Sequence, residues 1–266
     1  MSQGWQGHLS LDYHRTEHGT SALDRHHGPL RVLQRLYPEG PAICHHVLVH
    51  PPGGIVGGDV LQIDARLGAG SHALVTTPSA TRFYRSAGPW ASQRVDARLE
   101  AGARLEWLPL ETILYSGCLA ENQQQFTLAD DAEMIGWDLL ALGLPAAGQA
   151  FERGALRQTL AIPGRWLEQG RVAADDALLL DSPLGWAGQR VLGTLWCAHG
   201  TGWPTSRREA MLTATREVLA ASPLAAQAGV SALDDGLLVC RVLAPRVEPL
   251  FSLARRVRAE IGRAHV

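Results

Sequence analysis

Lysine is absent from this chain, and all 24 basic residues are arginine. That excludes chemistry that depends on a primary amine. A P-loop needs its lysine on the nucleotide phosphates, a kinase needs its strand lysine, and Schiff-base catalysis needs an amine to condense with a carbonyl. The isolated chain is therefore expected neither to bind nor to hydrolyse GTP or ATP. A basic excess is missing too: 24 basic against 26 acidic residues leave a net charge of −2. Phosphate backbones and anionic membranes need more positive charge than that, which argues for no nucleic-acid and no membrane partner. Cysteine is scarce, with Cys44, Cys118, Cys197 and Cys240 far apart and no CxxC pair. The opening run MSQGWQGHLSLDYHR carries no apolar signal-peptide core, and no segment approaches the ~18 apolar residues of a membrane span. The expected setting is reducing and cytoplasmic.

What is present is a chain of 266 residues, 46% hydrophobic and 19% charged, able to bury an ordinary core. Alternation is its dominant texture. Val60 to Leu67 places Leu61, Ile63, Ala65 and Leu67 on one face, and Arg94 to Leu99 does the same with Val95, Ala97 and Leu99. RLGAG (Arg66 to Gly70) and RLEAG (Arg98 to Gly102) are near copies, each leading into a strand that ends at a proline, Pro78 or Pro109. Leu128 to Ala132 and Leu160 to Gly164 read as degenerate third and fourth copies, so that the leucines recur at intervals of 32, 29 and 32 residues. A unit repeating at that period predicts coiled, stacked β layers, each burying its face on its neighbour.

The last third changes texture. Ser206 with Glu209 reads as a capping box, followed by Met211, Ala214, Val218 and Leu219 at helical spacing up to Ser222-Pro223. Leu237 to Ala244 reads as an apolar strand after the Asp235-Gly236 turn, and Leu250, Leu253, Ala254, Val257 and Ile261 form a second helical stripe. The expectation is a mainly β, helicoid-like single domain over 1–266, with a β body over about 1–200 and two α-helices within about 201–266.

HPPGGIVGGD, from His50 to Asp59, is the most unusual stretch. Its glycines and prolines specify tight corners and free backbone, and they serve either a plain turn or a close approach to something else. No dinucleotide fingerprint fits, because a strand follows where that fold demands a helix. Asp59 stands out as an acid at the end of a loop without side chains to shield it.

Cys44, His46 and His50 share one face if their segment is a strand, but the ~6.6 Å between alternate residues spreads them too far for a closed tetrahedral site. An open, transient metal contact through one or two of them fits better, and simple strand burial fits as well. Asp138 interrupts the apolar run around Trp137 and Leu139, and Glu168 follows Trp166-Leu167 in a similar context. A buried carboxylate must be paired, hydrogen-bonded, metal-bound or protonated. Paired carboxylates on a β coil also admit an alternative, a polysaccharide-active enzyme. No GxSxG or other nucleophile motif appears.

Taken together, GWQGHLSL (Gly4 to Leu11), GPLRVLQRLYPEG (Gly28 to Gly40), HPPGGIVGGD, TTP (Thr76 to Pro78) leading to FYRS (Phe83 to Ser86), LEWLPLETILYSG (Leu105 to Gly117) and WDLLALG (Trp137 to Gly143) resemble the urease accessory protein family UreD, also called UreH. The resemblance implies a non-enzymatic chaperone that binds UreF, and through it the GTPase UreG, and docks on apo-urease subunits as a dimer of heterocomplexes. It implies no tightly bound cofactor, with GTP used by UreG and nickel only in transit through an internal passage lined partly by acids. Asp59, Asp138 and Thr81 inherit that expectation from matching motifs, and Glu168 by its context. His46, His50 and Cys44 are weaker metal candidates. Leu144 and Gln149 depart from the family's usual arginine and acid after the WD motif, and Gln169 departs from its later Glu-Arg pair.

Overall fold

The structure, a computed structural model, describes residues 4–263. Met1 to Gln3 of the opening run and the last three residues of the range 1–266 lie outside the described residues. The chain begins with β1 (Gln6–Thr16), β2 (Gly19–His27), β3 (Arg31–Leu36) and β4 (Cys44–Val49). It then winds through β5 (Val60–Leu67), β6 (His72–Thr76), β7 (Thr81–Phe83), β8 (Ala91–Leu99), β9 (Arg104–Trp107), β10 (Thr112–Leu114), β11 (Cys118–Leu128) and β12 (Glu133–Leu142). The remainder comprises β13 (Gly154–Ile162), β14 (Trp166–Ala173), α1 (Ala177–Asp181), β15 (Val191–His199), α2 (Thr205–Ala220), β16 (Ala228–Asp234), β17 (Leu237–Ala244) and α3 (Val247–Arg263).

Two sheets stack. One runs β14-β13-β11-β8-β5-β1-β2 and the other β16-β17-β15-β12-β9-β6-β4-β3. Each repeat carries the chain from the first sheet to the second and back, so like strands pair in parallel: β5 with β8 and β8 with β11 in one layer, β6 with β9 and β9 with β12 in the other. Leu67 lies opposite Leu99, and Leu99 opposite Leu128, which places the three copied leucines on one rung. The turns between layers need left-handed backbone at Gly70 (φ 68) and Gly102 (φ 64), a conformation glycine adopts without steric cost.

The fourth copy does not continue the coil. Leu160 lies opposite Gln124, four residues out of step with Leu128, and β14 folds back antiparallel on β13. The reason is the tight Pro163-Gly164 turn, closed by the Arg165 amide on the Ile162 carbonyl, which is too short to reach the other sheet.

α2 and α3 cover the outer face of the second sheet and make a third layer. All five residues of the second helical stripe, from Leu250 to Ile261, are buried there, with Met211, Val218 and Leu219 of α2. β12 is consequently buried on both faces. Ile135, Trp137 and Leu139 meet the helical layer, whereas Met134, Leu140 and Leu142 meet the other sheet.

Two ion pairs pin the helices: Arg207 of α2 grips Glu133 at 2.7 and 3.0 Å, and Arg258 of α3 holds Glu106 at 2.6 Å. Burial works against ionisation of Glu106, but the hydrogen bond from His72 and the charge of Arg258 outweigh it and lower its pKa.

The Ser206–Glu209 capping box does not form. The N-cap of α2 lies two residues earlier, at Pro204 with no side-chain cap, so Ser206 already sits inside the first turn. α1, a short helix capped by the Asp176 side chain on the Leu179 amide at 3.0 Å, is a third helix beyond the expected two. No helix among the described residues is long and apolar enough to cross a membrane.

Candidate functional site

Strand pleating dictates where polar groups enter the space between the sheets. In β11, buried Ala120 and Phe126 face inward, so residues 122 and 124, two and four positions on, must face inward as well. Those residues are Asn122 and Gln124. Parallel register then sets Gln93 of β8 opposite Asn122, and Asn122 opposite Gln158 of β13. Three amides thus stand on one rung of adjacent strands, spaced roughly 4.8 Å apart.

Asp138 meets them from the facing sheet. Its Oδ1 accepts hydrogen bonds from Gln124 Nε2 at 2.7 Å and Asn122 Nδ2 at 3.2 Å, and its Oδ2 accepts one from Gln158 Nε2 at 3.0 Å. Asp138 is only 7% exposed, and burial pushes its carboxyl up to about 6. The amide donors pull it down and Glu168 raises it further. Glu168 of β14 is the register partner of Leu160 and pairs with Arg241 of β17, bridging the two sheets.

Beside this cluster, His50 and Thr81 line a cavity of about 80 Å³ together with Gln93, Gly53, Trp107 and Pro109. Gln93 belongs to both settings. A polar seam therefore runs from the glycine loop, along the amide rung, to Asp138 and Glu168.

Asp59 is placed otherwise than its loop context predicts. It is buried, not unshielded, and its carboxylate accepts the backbone amides of Trp5 at 2.8 Å and Val56 at 3.0 Å. The side chain closes the glycine loop and ties the start of the chain to it. Burial lowers the pKa of nearby His50, while the charge of Asp59 works to raise it. The glycines allow close packing, since a Cβ at Gly54 would come 2.0 Å from the Tyr84 ring. Arg82 helps to hold the loop through the Gly53 carbonyl at 3.3 Å, and Phe83 is buried.

Cys44 and His46 form a separate group. Both point inward from β4, where His46 Nδ1 meets the Tyr13 hydroxyl at 2.7 Å, and burial lowers its pKa to about 4. Through β6 and β9 to β12, His46 lies three strands from Asp138, roughly 14 Å sideways. All four cysteines are free and buried, and burial pushes the Cys118 and Cys240 thiols up to about 12, which keeps them unreactive at neutral pH. Among the described residues no three His, Cys, Asp or Glu side chains converge as a metal site. Asp138 lies enclosed between the sheets.

The family model described as "UreD urease accessory protein" matches residues 6–266. The chain belongs to the UreD family. Among its relatives, the urease accessory protein UreD of Leptothrix cholodnii is 62% identical over 257 residues, covering 96% of this chain and 92% of the relative. UreD of Polaromonas sp. (strain JS666) is 54% identical over 253 residues, covering 95% and 92%. UreD of Methylibium petroleiphilum is 52% identical over 274 residues, covering 96% and 93%. In this UreD-family chain the departures Leu144, Gln149 and Gln169 lie away from the seam. Leu144 and Gln149 bond to each other's backbone in a surface turn, and Gln169 reaches Thr159 across β13 and β14.

Proposed function

We propose that this chain is a non-catalytic urease maturation chaperone, which scaffolds UreF, and through it UreG, on apo-urease subunits and passes nickel toward the urease active site. The observation that carries the reading is the polar seam between otherwise apolar sheets. A sandwich core gains about 25 cal/mol for each Å² of apolar surface it buries and gains nothing comparable from amides and acids. Asp138, Glu168, His50 and Thr81 stand along or beside that seam, and weak oxygen and imidazole contacts suit an ion that must leave again. Asp59 shapes the loop at one end of the seam. His46 and Cys44 lie off it and contribute to the wall of the core.

Nickel is cargo in this account, no cofactor is held tightly, and UreG supplies GTP hydrolysis, in keeping with a chain without lysine. The complex works in the cytoplasm as a dimer of heterocomplexes. The test is co-purification: tagged chain is expected to retain UreF directly, UreG only when UreF is present, and urease subunits. Failure to retain UreF or urease, or hydrolysis of GTP by the isolated chain, would overturn the proposal.

A further inference from the structure

Every amide around Asp138 uses its N–H and leaves its oxygen idle. Asn122 Oδ1, Gln124 Oε1 and Gln158 Oε1 are buried and have no hydrogen-bond partner in the protein. Asn122 is 1% exposed and Gln124 3%. An orphaned buried oxygen forfeits the hydrogen bonds it made in water, so three around a single carboxylate are not a packing accident.

Among the described residues only neutral amides hydrogen-bond this carboxylate and no cationic side chain pairs with it, while the charge of nearby Glu168 is taken up by Arg241. The cluster attracts cations.

We propose that Asn122, Gln124 and Gln158 are ligand-presenting residues which, with Asp138, form an all-oxygen site for a divalent cation. The site operates by rotation of the amides. This rests on the nickel-passage reading above and adds to it the residues that receive the ion. A half-turn about the last torsion of Asn or Gln exchanges N and O with almost no change of shape. Without a cation, three N–H groups face the carboxylate. With a cation on Asp138, three oxygens turn to the metal alongside the carboxylate.

Both arrangements satisfy the carboxylate, which keeps the cost of release low and suits transit. Carboxylate and carbonyl oxygens suit hard and borderline divalent ions, whereas thiolate and imidazole would hold nickel or zinc more firmly.

The experiment is side-chain amide NMR on the full chain labelled with ¹⁵N, titrated with Ni²⁺ as a paramagnetic probe. Loss of the NH₂ cross-peaks of Asn122, Gln124 and Gln158 is expected in the wild type, with those peaks persisting at the same Ni²⁺ in Asp138→Asn. Nickel transfer to apo-urease is measured in parallel. Broadening confined to histidine signals, with the three amide pairs untouched, would overturn the amide site. If Asp138→Asn then still abolished transfer, the passage reading would stand without it. Broadened amides together with undiminished transfer by Asp138→Asn would support the cation site and sink the passage reading instead. Because the decisive spectrum is that of the wild type, the test does not depend on a variant folding.

Discussion

Gln124 and Asp138 face each other across the space between the two sheets, joined at 2.7 Å by a hydrogen bond that crosses a largely apolar interior. Burial raises the pKa of Asp138 to about 6, against 3.8 in the unfolded chain, although the bond from Gln124 works to lower it. The folded state therefore binds the proton more tightly than the unfolded state. This group destabilises the fold fully above pH 6, and the penalty fades as pH falls from about 6 toward 3.8. Its size is about 2–3 kcal/mol from the shift. Denaturant melts between pH 7.5 and 5 are expected to show a stabilising contribution on acidification that Asp138→Asn removes.

Glu106 has the opposite sign. Its pKa is lowered, so the stability it provides is present above its unfolded value of 4.5 and lost as pH falls through the folded value. Arg258→Ala leaves that carboxylate with only His72 and is expected to cost about 1–3 kcal/mol by loosening α3 from the sheet. Urea titration at pH 7 checks the loss, and hydrogen exchange should place it in α3.

Asp59→Ala deprives two backbone amides of their acceptor and is expected to cost about 1–3 kcal/mol. Hydrogen exchange should accelerate at Trp5 and Val56 before the strand amides of β5. Protection unchanged at both amides would show that the carboxylate is not what closes the loop.

Gly54→Ala is expected to destabilise the same loop, because the added methyl overlaps the Tyr84 ring. The variant should melt earlier and show altered Tyr84 fluorescence or ring NMR signals. A melt identical to wild type would contradict the packing described.

The coil was legible in the sequence wherever alternation and turn chemistry agreed. β5, β8 and β17 fall where the inward residues and the Asp235-Gly236 turn put them, and the RLGAG and RLEAG copies mark real crossings between sheets. Leu160 misled because a leucine before a turn looks alike whether the chain then crosses or folds back. Ser206 misled because cap chemistry depends on where helical backbone begins, at Thr205 rather than just after Ser206.

Asp138 was found because it breaks an apolar run. The amides were missed because ENQQQ reads as a solvent-facing stretch, although inward Ala120 and Phe126 on either side fix Asn122 and Gln124 on the buried face. That alternation was the available signal. Gln158 has no local signal at all, since only the pairing of β11 with β13 brings it to Asp138.

The most direct test of the account is nickel in urease matured with Asp138→Asn, measured together with that variant's melting temperature and its retention of UreF. The replacement keeps the shape, can accept and donate within the amide cluster, and removes a charge that burial opposes. The account predicts a variant at least as stable as wild type at pH 7 that binds UreF normally yet leaves urease poor in nickel and inactive. Full nickel loading by a stable, UreF-binding Asp138→Asn chain would contradict it.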